Sequence, residues 1–388
     1  MFDFNIYVPT DLVYGKDCHK RVGELMKPFA RKVLLLYGSE RIFKSGTGNE
    51  IVESLEAAAI EVVKLGGVKP NADTDYIDMA IKKAREEGID GLISVGGGSV
   101  TDTAKAVSAG IFYPGPVKEI FLNPKVEVSR FLPIGVVVTM PATASESNGM
   151  AVVMESDTHL KLPREFRDVK PKFALLNPEL SVGISPYQTA SGGFDIFSHA
   201  FERYVDERRG SSVLEAMSLM LMKETLETIP KALKEPENAH YRGEMLIAAN
   251  LAHNDMIGPG GDFACHGISH TVTSYFGTPH GAALAMIIPA WVEQMYSHNP
   301  KKISKLVQFV FGAQGEEPEV IVKDGIKRMK EYVKSIGLDN VIKVDDIKAV
   351  DFEKLSQESL GPFEFLGGGF GKTTKEDIIS ILEKIIVA

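Results

Sequence analysis

Cysteine, tryptophan, positive charge and long apolar runs are all in short supply in this chain. Its 388 residues hold two cysteines, Cys18 and Cys265, too few and too far apart for a disulfide framework or a thiolate metal site. They suit a reducing cytoplasm, which is the expected location. Lys plus Arg (43) fall short of Asp plus Glu (52), so the net charge is −9 and no global positive field exists to hold a phosphate backbone. No nucleic-acid partner is expected. The most apolar stretch, GAALAMIIPAW, is well short of the roughly 20 residues that a membrane span needs. The opening MFDFNIYVPTDLVYG lacks the basic n-region and unbroken apolar core of a secretory leader. The reading is therefore a soluble protein without a membrane partner. Hydrophobic residues at 44% and charged ones at 24% argue against disorder, and the length allows two or three domains.

The first half alternates β-branched or Leu-rich runs with amphipathic stretches of helical length, the pattern of βαβ units around a mostly parallel sheet. Strands are predicted at KVLLLY (32–37), IEVVKL (60–65), GLISV (91–95), IGVVVTM (134–140) and KFALL (172–176). Between them, residues 74–90 place Ile77, Ala80, Ile81 and Ala84 on one face, predicting a crossover helix. From about Ser185 the runs become Ala-, Leu- and Met-rich at helical period, as in SSVLEAMSLMLMKETLETIPKAL. The fold class that follows is an α/β domain over 1–184 and an all-α domain over 185–388, divided near the turn-forming cluster Gly183–Tyr187. The charged stretch VKDGIKRMKEYVKS reads as the solvated face of a helix.

Two places carry chemistry. At Val95 an apolar strand runs into Gly96, Gly97, Gly98 and Ser99 and then into a helix. Strand, glycine turn and helix start make an anion site in outline, because free N–H groups there can face a phosphate. The wording is neither GxGxxG nor GxxxxGK[ST], and a plain βα turn with Ser99 as N-cap stands beside the phosphate reading. Asp102 and Lys105 fall on the first turns of that helix, and Asp102 could simply answer the positive helix end. Thr139, Thr143, Ser145 and Asn148 follow the strand at 134–140, at the edge where ligands bind in open α/β sheets.

The second place is a concentration of imidazoles. Of nine histidines, His253, His266, His270 and His280 fall within 28 residues. Asp195 and His199 lie four apart on a predicted helix, one turn apart on one face. His266 and His270 are likewise one turn apart, and the break at Gly277, Thr278 and Pro279 lets a second helix bring His280 back. Singly, each histidine reads as a core or capping residue. Together, Asp195, His199, His266 and His280 form a borderline nitrogen and oxygen set suited to Fe(II) or Zn(II) with room for a substrate oxygen.

These motifs carry a resemblance over nearly the whole chain. With GGGSVTDTAK (96–105), TMPATASESN (139–148), LLNPEL (175–180), GGFDIFSHAFERY (192–204), LAHN (251–254) and CHGISHTVTSYFGTPHG (265–281), the sequence resembles the iron-containing, or group III, alcohol dehydrogenases, in their butanol dehydrogenase and NADPH-dependent aldehyde reductase branch. The resemblance implies a Rossmann-like N-terminal domain and a helical C-terminal one, the dehydroquinate synthase-like architecture, with a dinucleotide in the cleft between them. It implies Asp195, His199, His266 and His280 as ligands of one divalent metal. It places phosphates on Gly97, Gly98 and Ser99, and Asp102, Thr139, Thr143, Asn148 and Lys161 around ribose and nicotinamide, with Asn71 and Leu180 also on the cofactor. A homodimer acting on a small alcohol or aldehyde such as butanol or butanal is implied as well. His270 matches a non-ligand histidine of the family and is the candidate catalytic residue, as proton relay or as orienting group.

Cofactor choice is argued from the end of KVLLLY. An acidic residue there would bind the ribose 2′-hydroxyl and repel a 2′-phosphate; this chain has Gly38 and Ser39, with Arg41 and Lys44 nearby. NADP(H) is therefore favoured over NAD(H), with Glu40 the residue that could reverse the preference by swinging inward. The family's usual Asn-Pro after the next strand is Asn71-Ala72 here. Three rival readings remain: a dehydroquinate synthase-like lyase, a glycerol dehydrogenase-like enzyme, and a non-catalytic nucleotide or metal sensor.

Overall fold

The computed structural model describes residues 3–158 and 160–388. Tyr7–Val182 forms one compact unit, and Gly183–Ala388 with the described residues before Tyr7 forms the other. The division falls at Gly183, whose left-handed φ of 84° turns the chain just before Ser185 caps the first long helix.

In the first unit the strands are β1 (Asp11–Tyr14), β2 (Lys32–Tyr37), β3 (Glu61–Leu65), β4 (Gly91–Gly96), β5 (Ile134–Val138), β6 (Met150–Met154), β7 (Lys161–Glu165) and β8 (Phe173–Leu176). The helices are α1 (Val22–Met26), α2 (Arg41–Lys44), α3 (Thr47–Ala57), α4 (Thr74–Glu86), α5 (Gly98–Gly110) and α6 (Val117–Leu122). Six strands make one parallel sheet in the order β1-β8-β5-β4-β2-β3, and β6 and β7 pair as a separate antiparallel hairpin. The apolar runs become strands because helices cover the sheet: β4 and β5 are buried at every residue. The predicted helix over 74–90 stops at Glu86, since Gly88 at φ 65° turns the chain back into β4. The predicted strand over 134–140 stops at Val138, because Met140 precedes Pro141 and leaves the ladder. β1 and the hairpin were not anticipated.

The second unit contains α7 (Pro186–Val205), α8 (Ser212–Lys234), α9 (Ala239–His253), α10 (Ala264–Phe276), α11 (His280–Met295), α12 (Pro300–Phe311), α13 (Pro318–Ser335), α14 (Phe352–Leu360) and α15 (Lys375–Ile385). Four short strands, β9 (Ile342–Lys343), β10 (Leu366–Gly367), β11 (Lys372–Thr373) and β12 (Ile386–Val387), pair β9 with β12 and β10 with β11. The unit is thus largely helical, with two small ladders, one of which joins the last strand of the chain to β9. The apolar stretch GAALAMIIPAW is the middle of α11, buried from Gly281 to Val292. A helix apolar on every side belongs inside a core, and no described helix is long and apolar enough to cross a membrane. Beside it, α7 is buried from Thr189 to Val205 and contributes Phe194, Phe197, Phe201 and Tyr204 to the same core as Trp291. In α13, Lys323, Lys327 and Lys334 are exposed while Ile326, Met329 and Val333 are buried, which is the solvated face read from the sequence.

α7 and α11 approach so closely that a Cβ at Gly281 would collide with the Ser191 carbonyl. Gly281→Ala is expected to force the helices apart and to cost about 1–3 kcal/mol. Urea unfolding should show a lowered midpoint, and an unchanged midpoint would mean that the contact is not tight.

Candidate active site

In the first unit the sheet order reverses between β2 and β4, and a crevice at the carboxyl ends of such strands is the ordinary ligand position in this sheet type. Gly38 follows β2 there, half-buried, and Gly97 and Gly98 follow β4. The glycines are required by close packing: a Cβ on Gly98 would lie 2.7 Å from Thr143 Oγ1, and one on Gly97 3.2 Å from the Met140 Cβ. α5 begins at Gly98 with Gly97 as its cap and no side-chain capping bond. Ser99 is therefore not the N-cap; its Oγ accepts the Asn71 N–H at 3.1 Å and ties the loop after β3 to the glycine turn. Asn71 has the left-handed φ of 64° that asparagine tolerates, and the following Ala72 is fully buried. Thr139 is half-buried and its N–H donates to the Gly96 carbonyl at 3.0 Å, while Leu180 packs half-buried in the turn after β8.

Behind the turn lies a polar network that the sequence did not disclose. Asp102 accepts Ser145 Oγ at 2.5 Å and the Val152 N–H at 3.1 Å, fastening α5 to the hairpin. Lys105 is fully buried and donates to Ser145 Oγ at 2.8 Å, Asn148 Oδ1 at 2.9 Å and the Met150 carbonyl at 2.7 Å. Asn148 is itself buried and donates to the Thr143 carbonyl at 3.1 Å, so it holds this network as well as standing near the turn. Lys161 opens β7 opposite Met154, half-buried. Burial pushes the Asp102 carboxyl up, opposed by the Lys105 charge and, less, by that of Lys161.

In the second unit, Asp195, His199 and Glu202 recur at i, i+4 and i+7 on α7 and so share one face. His266 stands in the first turn of α10 and His280 at the first position of α11. Ligand atoms of Asp195, His199 and His266 all lie within 4.8 Å of one another, the only such cluster among the described residues. His280 Nε2 reaches to 3.6 Å from Asp195 Oδ1, and His266 Nε2 to 3.8 Å. His280 stands outside the mutual envelope of the other three and is more exposed, at 26% of its side chain. His270 is half-buried and stacks on the His280 ring at 5.7 Å.

The neighbouring hydrogen bonds sort these imidazoles. His199 Nδ1 faces its own helix carbonyl, Asp195 O, at 2.9 Å; His266 Nδ1 faces Glu202 Oε2; His280 Nδ1 faces Ser269 Oγ at 3.1 Å. Ser269 donates its hydroxyl to the His266 carbonyl at 2.7 Å, so toward His280 it accepts. With Nδ1 occupied as a donor in all three, each Nε2 presents a lone pair. His253 differs: its ring lies 4.5 Å from His199, but its Nδ1 meets an Arg203 N–H at 3.0 Å and must accept. That gives it the opposite tautomer and sets it apart from the donor set. Burial, then the nearby His266 and Arg203, holds His199 well below the usual imidazole range and thus neutral. One carboxylate and three imidazoles fit a divalent borderline cation.

Glu202, absent from the sequence reading, is 1% exposed. Its Oε1 accepts the Cys265 N–H at 2.7 Å, and its own carbonyl accepts the Asp262 N–H at 2.9 Å. Burial pushes its carboxyl up to about 8 against the pull of the Cys265 N–H, and a divalent cation beside His266 would favour the ionised form. The i+7 step from Asp195 was the signal available in the sequence.

Both halves match known families. A model of the iron-containing alcohol dehydrogenases covers residues 9–178, and one described as the Fe-containing alcohol dehydrogenase family, C-terminal, covers residues 189–386. The chain is 32% identical over 387 residues to the Probable NADH-dependent butanol dehydrogenase 1 of Bacillus subtilis (strain 168), covering 99% of each. It is 33% identical over 314 residues to the NADPH-dependent aldehyde reductase YqhD of Escherichia coli (strain K12), covering 80% of this chain and 79% of that protein. The crystal structure of the NADH-dependent butanol dehydrogenase A from Thermotoga maritima superposes with a TM-score of 0.91 at 30% identity, covering 100% of this chain and 99% of that one.

Lys105 yields a pH expectation. Burial lowers its ammonium from 10.5 to about 8, so above pH 8 the folded chain sheds a proton that the unfolded chain keeps up to about 10.5. The unfolded state then binds more protons, and stability should rise with pH in that window relative to Lys105→Met. Urea midpoints of both proteins between pH 7.5 and 9.5 check this, and parallel profiles would refute it.

Proposed function

Because the chain belongs to the iron-containing alcohol dehydrogenase family, we propose that it is an alcohol dehydrogenase or aldehyde reductase that transfers hydride reversibly between a nicotinamide dinucleotide and a primary alcohol or aldehyde of butanol or butanal size. The observation that carries this reading is the convergence of Asp195, His199 and His266, with His280 reaching the same carboxylate. When bound, the dinucleotide supplies or accepts the hydride and the metal, Fe(II) or Zn(II), supplies Lewis-acid polarisation of the substrate oxygen.

The residues divide the work. Asp195, His199, His266 and His280 are assigned as the metal ligands, and Gly97, Gly98 and Ser99 as the phosphate cradle, with α5 directing its N-terminal N–H groups at the anion. Asp102, Thr139, Thr143, Asn148 and Lys161 are assigned to ribose and nicotinamide, and Asn71 and Leu180 to the flanks of the cofactor. His270, half-buried beside His280, is assigned the transfer of the alcohol proton to water. A homodimer in the cytoplasm belongs to the same reading, the dimer resting on the resemblance and the location on the sparse cysteines.

NADP(H) is the proposed cofactor. Relatives include NADH- and NADPH-dependent enzymes, so the preference rests on this chain's own loop. Gly38 brings no carboxylate to the end of β2, and Glu40 is held by the Tyr37 hydroxyl at 2.7 Å rather than left to swing inward. Arg41 and Lys44 stand exposed beside it to meet a 2′-phosphate.

The test is absorbance at 340 nm with NADPH and butanal, with added Fe(II), with Zn(II) and after chelation. Metal-dependent oxidation is expected in the wild type, and His266→Ala should lose both bound metal and turnover while keeping NADPH binding. Full activity in a metal-depleted His266→Ala protein would sink the metal assignment, and NADPH binding with no turnover under any condition would favour the sensor. A Cβ on Gly38 would meet only the Val68 carbonyl, at 3.5 Å, so an aspartate fits there. Gly38→Asp should lower kcat/KM for NADPH roughly tenfold or more through charge repulsion while sparing NADH. Unaltered NADPH use would show that another residue sets the choice.

A further inference from the structure

We infer that Glu202 is a positioning residue that sets the tautomer of His266 and thereby the affinity of the metal site. The inference rests on the metal reading above. His199 and His280 take their Nδ1 partners from a main-chain carbonyl and a serine hydroxyl, whereas His266 depends on a carboxylate from another helix. Glu202 lies on α7, on the face that carries Asp195 and His199, and crosses to the first turn of α10. One of its oxygens accepts the Cys265 N–H, and the other faces His266 Nδ1. The main-chain N–H can only donate, so one Glu202 oxygen is committed to it and the other is left as the acceptor for a proton on His266 Nδ1. With the proton held on Nδ1, the His266 lone pair is on Nε2, 3.8 Å from Asp195 Oδ1, where the other donors gather.

An amide of the same shape cannot do this. If the glutamine oxygen of Glu202→Gln faces Cys265 N–H, its NH2 faces His266 Nδ1, which must then accept, and the proton moves to Nε2 on the metal side. If the amide is turned over, its NH2 opposes the buried Cys265 N–H. Glu202→Asp, though shorter, keeps two acceptors. Charge chemistry and side-chain volume therefore predict opposite orders for the two variants.

The experiment measures metal affinity rather than turnover. Full-length wild type, Glu202→Gln, Glu202→Asp and His266→Ala are titrated with Zn(II) against a competing chelator and with Co(II) by its visible absorption bands, with NADPH binding as the check on folding. Affinity is expected to fall in the order wild type, Asp, Gln, with Gln weaker than wild type by roughly 10–100-fold. Gln within twofold of wild type, or Gln tighter than Asp, overturns the inference while leaving the metal reading intact if His266→Ala still abolishes binding. Undiminished binding by His266→Ala removes the metal reading and this inference with it. Should Glu202→Gln fail to fold, imidazole 15N shifts of the metal-free wild type decide: His266 protonated at Nδ1 supports the inference, and protonated at Nε2 refutes it.

Discussion

A helix buried on nearly all sides that nevertheless carries Asp195, His199 and Glu202 is the constraint on which the C-terminal unit turns. Burying carboxylates and imidazoles without partners would cost several kcal/mol each, so the surrounding helices have to answer them group by group. α10 answers Glu202 with the Cys265 N–H and the His266 ring, and α11 brings His280 to the Asp195 carboxylate through an approach to α7 close enough to require Gly281. The aromatic stripe of Phe194, Phe197 and Phe201 packs the rest of α7 into the core with Trp291. Apolar packing fixes the axis of the helix, and the polar stripe then fixes what may surround it.

The N-terminal unit solves a similar problem differently. Its glycine turn can lie close to an anion because Thr143 and Met140 fill the space that side chains would need. The turn is braced from behind by Lys105, which spends all three ammonium protons on Ser145, Asn148 and Met150. Asp102, bonded to Ser145 and Val152, joins the same network to the hairpin. A satisfied buried network is rigid, and rigidity is what a preformed anion cradle requires.

Much of the fold could be read in advance where the pattern was local. Five of the six sheet strands are β-branched or Leu-rich runs, and four of them, β2, β4, β5 and β8, are buried along nearly their whole length, which leaves an apolar run no other use. β1 was missed because DLVY is short and exposed at the sheet edge, and β6 and β7 because half-buried strands flanked by polar turns carry little signal. One of the two readings of the glycine turn made Ser99 a helix cap, but the cap is Gly97 and Ser99 instead bonds Asn71, a partner 28 residues away. Glu202 was passed over because its one local signal, the i+7 step from Asp195, is shown as readily by a solvated helix glutamate.

The sequence by itself determined the residue types of the site, the α/β-then-helical order of the chain, and the exclusion of thiolate chemistry, because each is a matter of composition, period or spacing. Tertiary structure alone decided which histidines share a tautomer and which does not. Arg203 makes His253 accept, while Glu202, Ser269 and a helix carbonyl make His266, His280 and His199 donate. Two of these partners, Glu202 for His266 and Arg203 for His253, stand 64 and 50 residues away in the chain. The proton on an imidazole follows the nearest acceptor in space, and distance along the sequence carries no record of it.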